Sequence, residues 1–185
     1  MLVVLALGAL AGCGDSRTAV PNPSHFQAPR GLAMTSYLSG GLRFEAPTNW
    51  ATQIGSAPLV VTIASGPAII AIWRYQRSQS QVLPDDAASL QQARSALIAA
   101  ARARDLTLRV IASAVVDVHG LHAVELDAVE KIRGQVRRVR SAHVYEAGAE
   151  LVIDEYAPQS QFHEADRTVF SPLLHSLRLG RVGSS

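Results

Sequence analysis

The sequence has a single cysteine, Cys13, among its 185 residues, so no disulfide can form within one chain. Aromatic residues make up only 5% of the chain, charged residues only 17%, and the formal net charge is +2. So small a positive charge does not indicate binding to nucleic acid. Hydrophobic residues nevertheless reach 48%, which is enough for a sizeable core and excludes disorder for the main body of the chain.

The apolar run at the start of the chain, Leu2 to Leu10, is too short to span a bilayer, which takes about 20 apolar residues. Its length is typical of the core of a signal peptide. With the residues that follow, it ends in Leu10-Ala11-Gly12-Cys13, which resembles a bacterial lipobox. At such a motif a secreted precursor is cut before the cysteine, and lipid is attached to the sulfur. The alternative is a buried N-terminal strand or helix in which the cysteine occurs by chance.

The lipobox resemblance implies a diacylglyceryl group on Cys13. One acyl chain binds a membrane only marginally, whereas two or more give stable anchoring, so we expect durable attachment to the outside of a bacterial membrane. A modified Cys13 leaves no thiol for a disulfide, a metal or nucleophilic catalysis. No Lys or Arg precedes Leu2, although secretion signals begin with positive charge, so one interpretation is that the true start lies upstream.

Composition divides the chain into four parts. From Gly14 to Gly41 it is rich in Pro, Ser, Thr, Gly and Asn, which predicts a flexible tether. Several residues in the final third of this stretch are apolar enough to lean on the domain. The expected parts are a signal peptide over residues 1–12, lipidated Cys13 and the tether over 13–41, one domain over 42–180, and a disordered tail over 181–185.

Alternation and turn residues predict the elements of the domain. The first half is expected to hold a strand, a hairpin of two apolar strands, and a helix announced by Pro84-Asp85-Asp86. In the second half, Arg133-Gly134 and Ala147-Gly148 suit two-residue hairpin turns. The predicted strands and helices are Leu42–Ala46, Leu59–Ala64, Ala68–Tyr75, a helix to about Arg104, Leu106–Val118, His122–Ile132, Gln135–Glu146, Ala149–Tyr156, and a helix over Phe162–Leu177 interrupted at Pro172.

This order predicts an α+β domain: an antiparallel, meander-rich sheet of about seven strands with two helices packed on it. Phe44-x-x-Pro47-x-x-Trp50, the long meander, and a closing helix with Phe170 and Ser176-Leu177 resemble the PsbP-like fold family. That family includes a photosystem subunit, a partner of a nuclear-transport GTPase and many bacterial envelope lipoproteins. The resemblance implies a protein that binds other proteins and has no catalytic apparatus. No binding residue can be carried over, because no binding motif matches.

The first candidate for metal binding is His119-Gly120-Leu121-His122, with Asp117 as the one obvious extra donor. Two histidines three residues apart can share a metal when a third ligand is near. Gly120 favours instead a turn that carries two unrelated histidines. We therefore expect no metal and no cofactor.

The signs of an enzyme are weak. No Gly-x-Ser-x-Gly elbow occurs, and Asp154 and Glu155 are adjacent on a strand, so they face opposite sides of the sheet and cannot share a proton. Trp73 and Tyr75 share a face, either as core aromatics against a helix or as a ligand-stacking pair.

The sharpest charged feature is the arginine run at residues 137–140, which is either an anion site or a strand whose charges meet acids on its neighbours. If both two-residue turns form, Asp127 and Glu155 both face Arg140, and Glu130 faces Arg137. The resulting hypothesis is that Arg140 is structural, held by Asp127 and Glu155.

Taken together, the sequence predicts a membrane-anchored envelope lipoprotein that is a non-catalytic protein-binding or assembly module. Its expected partners are the membrane, through the lipid anchor on Cys13, and an envelope protein, with no nucleic acid. The alternative is a carrier that binds a small ligand or lipid in a pocket between sheet and helix. A large cavity at that place favours the carrier, whereas a flat exposed apolar patch favours the protein partner.

Overall fold

The computed structural model describes residues 24–37, 41–78, 80–146 and 148–180. The predicted signal peptide, Cys13 and the predicted tail lie outside these ranges. None of the helices in the described part of the chain combines the length and apolar character that crossing a bilayer requires.

The expected α+β architecture is confirmed: a seven-stranded antiparallel sheet carries helices on its faces, and a small three-stranded sheet packs beside it. The order in the large sheet is β3-β4-β5-β9-β8-β7-β6, and in the small sheet β1-β2-β10. The elements are β1 (Leu32–Tyr37), β2 (Leu42–Pro47), β3 (Ala51–Ile54), β4 (Leu59–Ser65), β5 (Ala68–Gln76), α1 (Ala87–Arg104), β6 (Arg109–Val118), β7 (Leu121–Ile132), β8 (Gln135–Glu146), β9 (Ala149–Ala157), α2 (Gln159–Ala165), a π segment (Asp166–Phe170), α3 (Ser171–Ser176) and β10 (Arg178–Leu179).

The two predicted hairpin turns set the register of the meander. Ile132 pairs with Gln135 and Glu146 pairs with Ala149, as the turn chemistry predicts. At the first turn Arg133 and Gly134 have φ values of 49° and 83°, the left-handed pair that a tight hairpin requires. Glycine adopts that conformation without a Cβ penalty.

Side chains alternate between the two faces of the large sheet. On one face, which we call the core face, Ile70, Ile72, Val144 and Ile153 pack under the small sheet and the terminal helices. The opposite face, the α1 face, carries Leu126 and Ala128 of β7, which pack against Ala101 of α1. The core face therefore holds the main core, whereas the α1 face is covered by a single helix.

Helix α1 begins where its sequence signal predicts. Asp86 caps it: Oδ1 accepts a hydrogen bond of 2.7 Å from the backbone N–H of Ser89, and the Ser89 side chain closes the capping box. The helix ends at Arg104, and the Asp105 carboxylate then accepts hydrogen bonds from Thr107. This turn explains why β6 starts at Arg109 and not at the predicted Leu106, whose side chain is 94% exposed.

At Pro172 the sequence predicts either a kink or a second short helix that Ser171 caps. A short helix, α3, does start at Ser171, with Pro172 in its first turn. A π segment precedes this proline, and the N–H of Ser171 bonds to the carbonyl of Asp166, five residues back. Pro172 has no N–H, and its ring disfavours a regular α-helical turn before it; a π turn accommodates that local mismatch. Ser171 does not cap a new helix; its hydroxyl donates to Asp166 Oδ1 at 2.8 Å.

The described part of the N-terminal segment packs on the domain. Strand β1 pairs with β2 from Leu32 to Tyr37, which places ordered chain before the predicted domain boundary at Leu42. The ring of Tyr37 stacks on Phe44 with centroids 5.1 Å apart. Trp50 Nε1 donates to the carbonyl of Gln27 at 2.9 Å. The two aromatics of the Phe44-x-x-Pro47-x-x-Trp50 pattern thus hold this segment.

Candidate functional site

A cleft of about 600 Å³ lies between α1 and the α1 face of the large sheet. Its helix wall is formed by Leu97, Ala101 and Arg104. Its floor is formed by the apolar side chains Ile69, Leu126, Ala128, Ile132 and Val139 together with several polar ones from β7, β8 and β9. The cleft forms where α1, which packs mainly over β6 and β7, meets the neighbouring strands β8 and β9.

Three polar side chains on the floor of the cleft form one hydrogen-bonded group. Ser141 Oγ donates to Asp154 Oδ1 at 2.5 Å, and the Tyr156 hydroxyl donates to Asp154 Oδ2 at 2.7 Å. Burial raises the pKa of Tyr156, and the adjacent Asp154 carboxylate raises it further. Both hydroxyls therefore keep their protons on Asp154 and present oxygen lone pairs to a bound molecule.

Charged side chains stand around this group. Glu130 of β7 lines the cleft; burial raises the pKa of its carboxyl, and the nearby Arg104 guanidinium opposes that shift. Arg104, Arg133 and Arg137 line the same cleft from three different segments. Arg137 is anchored, because its Nη1 donates to the carbonyl of Pro67 at 2.6 Å.

A second hollow of about 560 Å³ continues along the other side of α1, and Leu97 lines both. There His143 Nδ1 lies 2.7 Å from Glu150 Oε1, and Arg77 forms an ion pair with the same carboxylate. The hydrogen bond from His143 and the contact with Arg77 lower the pKa of Glu150, although burial opposes them. Burial also raises the pKa of Tyr145 to about 12.

Ser141 and His143 are not arranged as a nucleophile and its base. Ser141 and His143 lie two residues apart on the same face of β8, but the serine hydroxyl donates to Asp154 and the histidine contacts Glu150. A catalytic serine needs its proton directed to a base such as histidine. Within the described residues that line the second hollow there is no Ser, Thr or Cys.

The histidines singled out in the sequence stand at the β6–β7 turn. His119 and Gly120 both have positive φ, and Asp117 Oδ1 accepts a hydrogen bond of 2.8 Å from the Gly120 N–H. The His119 ring contacts the carbonyl of His175. Among the described residues, no group of three or more His, Cys, Asp or Glu side chains is placed to hold a metal.

The arginine strand is divided between the two faces. Arg137 points to the α1 face, whereas Arg138 and Arg140 point to the core face. Asp127 and Glu155 both pair with Arg140 in register, as predicted. The Asp127 side chain nevertheless binds Arg138 and not Arg140. Arg138 Nε donates to Oδ1 at 2.9 Å, and Nη2 donates to Oδ2 at 2.6 Å.

Arg140 instead lies in a partly buried acidic cluster. Its Nε is 2.6 Å from Glu155 Oε2, and its Nη1 is 2.7 Å from Asp166 Oδ1 in the π segment. Glu125 Oε1 lies 3.6 Å from the same Nε. The prediction that Glu155 holds Arg140 is confirmed. The prediction that Asp127 also holds it is wrong, because Asp127 binds the nearby Arg138 and Asp166 of the terminal helix contacts Arg140.

The sequence predicted a pocket between sheet and helix only as the alternative, and it did not identify the polar residues that form the floor of the cleft. Its floor residues Ser141, Asp154 and Tyr156 gave no motif, because they come from two strands. One signal was present: every other residue from Arg137 to Tyr145 faces α1, and most of these residues are polar. Trp73 and Tyr75 share this face as predicted, but neither is among the residues that line the two hollows.

Comparisons with known proteins identify the fold. No protein-family model matches the chain, and no curated protein matches it significantly. It is similar to the solution structure of cyanobacterial PsbP, CyanoP, from Synechocystis sp. PCC 6803, with a TM-score of 0.62 and 13% identity over 85% of this chain and 99% of that one. It is also similar to LpqN from Mycobacterium tuberculosis, whose crystal structure is described as that of a protein involved in cell envelope biogenesis; the TM-score is 0.57 and the identity 14%, over 82% of this chain and 91% of that one. This chain therefore has the fold of the PsbP-like proteins.

Proposed function

We propose that this protein is a non-catalytic binding protein of the bacterial envelope, attached to a membrane through lipid on Cys13, and that it binds a small ligand in the cleft beside α1. The observation that carries the proposal is the cleft of about 600 Å³. Pockets that hold small molecules commonly enclose about 300–1,000 Å³ and combine apolar walls with a few placed polar groups. Of the two functions that the sequence suggests, the cleft supports the carrier.

The lining indicates the chemistry of the ligand. Apolar side chains such as Leu126, Ala128 and Val139 favour an apolar body. The oxygens of Ser141 and Tyr156 can accept hydrogen bonds from a ligand N–H or O–H. Arg104 and Arg133 at the side of the cleft favour an anionic group. The ligand is therefore expected to be amphipathic.

Three observations support a role without catalysis in the envelope. The hydroxyl of Ser141 and the ring of His143 contact different carboxylates. Leu10-Ala11-Gly12-Cys13 resembles a lipobox, the signal at which bacterial lipoproteins are cut and lipidated. The fold is shared with LpqN, which is itself described as involved in cell envelope biogenesis.

The test fills the cleft with a larger side chain at Leu97, which lines both the cleft and the second hollow. Leu97→Trp should occupy the cleft, whereas Leu106→Trp makes the same change at a side chain that is 94% exposed and outside it. The probe is 1-anilinonaphthalene-8-sulfonate, which joins apolar rings to an anion. We expect saturable fluorescence enhancement in the native protein and in Leu106→Trp, and its loss in Leu97→Trp.

The outcome against the proposal is equal probe binding in both variants, because the probe would then bind outside the cleft. A second measurement uses no added probe. Organic extracts of native protein purified from membranes should contain a molecule, detected by mass spectrometry, that extracts of Leu97→Trp lack.

A protein partner is the second candidate function, and one observation favours it. Strand β6 is an edge strand of the large sheet and, among the described elements, pairs only with β7. It runs for ten residues and exposes Ile111, at 45%. An edge strand of this kind can accept a strand from a partner. A photo-crosslinker at Ile111 should then capture one envelope protein, and a crosslinker at exposed Val82 should not.

A further inference from the structure

Six basic side chains gather at one end of the domain. Three of them line the cleft beside α1: Arg104 of α1, Arg133 of the β7–β8 turn and Arg137 at the start of β8. The backbone N–H of Lys131 donates to Asp105 Oδ2 at 2.7 Å, which brings the end of β7 beside the end of α1. Strand β6 starts there too, because Arg109 pairs with Val129. We call this set the basic end; its members are Arg102, Arg104, Arg109, Lys131, Arg133 and Arg137.

The charge at the basic end is not balanced locally. The same segments carry two carboxylates, those of Asp105 and Glu130. A third, that of Asp154 on β9, lines the cleft and accepts hydrogen bonds from two hydroxyls. Six cations thus face three carboxylates. Asp105 accepts hydrogen bonds from Thr107 and Lys131, and burial raises the pKa of Glu130, which disfavours its charged form. The whole chain has a net charge of only +2, so positive charge is concentrated here.

Helix stability accounts for only part of this pattern. Cations in the last turn of α1, Arg102 and Arg104, complement the helix dipole. Arg109 and Arg133 lie outside that helix and are exposed. Arg102, Arg109 and Arg133 donate no side-chain hydrogen bond to another described residue. Their charges therefore face solvent.

The chain enters the domain at the same end. Gln161 Nε2 donates to the carbonyl of Ser24 at 2.8 Å, and the N–H of Gln27 donates to Ser65 Oγ at 2.8 Å, at the β4–β5 turn. Arg137 of the basic end donates to Pro67 of that turn. The first described residue, Ser24, therefore lies at the same end of the large sheet as Arg137.

We propose that the basic end docks on the anionic phospholipid surface of the membrane that holds Cys13. This inference rests on the lipid anchor of the proposed function. Ten residues, 14–23, separate Cys13 from Ser24, and ten residues span at most about 35 Å when fully extended. Anionic lipid surfaces attract clustered Lys and Arg, and the attraction falls off within about 10 Å at ordinary ionic strength. The tether thus keeps the basic end close to that surface, and the side of the cleft that carries Arg104 and Arg133 then faces the membrane.

The test measures lipid binding without the anchor. The mature chain, starting at residue 13 and carrying Cys13→Ser, is sedimented with vesicles of phosphatidylcholine alone or with about 30 mol % phosphatidylglycerol. In this background, Arg102→Gln, Arg109→Gln and Arg133→Gln together remove three charges from the basic end. The control removes three charges elsewhere, at Arg43, Arg167 and Arg178, which are also exposed.

We expect binding to the anionic vesicles to fall about ten-fold or more in the first variant and less than about two-fold in the control. Salt at about 0.5 M should abolish the binding, because it screens exposed charges. Equal losses in the two variants, or equal binding to both kinds of vesicle, would overturn the proposal. Since this chain carries no lipid, such a result would be independent of whether Cys13 is the anchor.

Discussion

Arg140 Nε lies 2.6 Å from Glu155 Oε2, and the Glu155 side chain is almost fully buried, at 1% exposure. On its other side Arg140 Nη1 reaches Asp166 Oδ1 of the π segment at 2.7 Å, and Ser171 donates to the same oxygen. One arginine thus joins β8, β9 and the terminal helix across the core face. Removing the arginine leaves the buried Glu155 carboxylate without its compensating charge.

Arg140→Gln should lower the free energy of unfolding at pH 8 by about 3–5 kcal/mol, because it leaves Glu155 buried without its partner. Urea unfolding measures the change. Arg167→Gln is the control: it removes an exposed arginine of the same terminal helix and should cost less than about 0.5 kcal/mol. Equal effects of the two substitutions would show that the ion pairs of Arg140 contribute nothing specific.

Glu155→Gln should change the pH dependence of stability. Burial raises the pKa of Glu155 from 4.5 to about 7, against the opposing effect of Arg140. Between these two values the folded state binds more protons than the unfolded state, so this group makes the free energy of unfolding fall as the pH rises. Glutamine has no such proton to lose.

The measurement compares native protein and Glu155→Gln by urea unfolding at pH 5 and pH 8. The variant should gain about 1–3 kcal/mol relative to the native protein between these two pH values. The variant is compared with the native protein at each pH because burial also raises the pKa values of Glu125 and Glu130, which change stability with pH in both proteins. A difference that does not vary with pH would mean that Glu155 keeps an ordinary pKa in the folded protein.

Cys13→Ser should leave the protein unprocessed or unattached to membranes, because Cys13 is the only cysteine that can carry lipid. Partitioning into a detergent phase and incorporation of labelled palmitate measure the anchor. Ser16→Ala is a nearby control that should behave as the native protein does. If Cys13→Ser partitions like the native protein, lipid on Cys13 is not what holds the chain at the membrane.

The local part of this structure follows from sequence. Arg133-Gly134 forces a two-residue turn, and a two-residue turn with period-two alternation sets the register of β7, β8 and β9. The start of α1 is also set locally, because the capping box at Asp86 joins it to Ser89, only three residues further along the chain. The face that each side chain takes, the strand register and the helix starts depend on residues close together in the chain. The sequence alone therefore determines them.

Tertiary packing decided the rest. Register brought Asp127 and Glu155 opposite Arg140, but the terminal helix delivered Asp166 to that arginine, while Asp127 bound Arg138. The cleft likewise depends on where α1 settles: it covers β6 and β7 and leaves Ser141 and Tyr156 beside it. Alternation shows which face a side chain takes, whereas the position of a helix over that face depends on how distant side chains fit together.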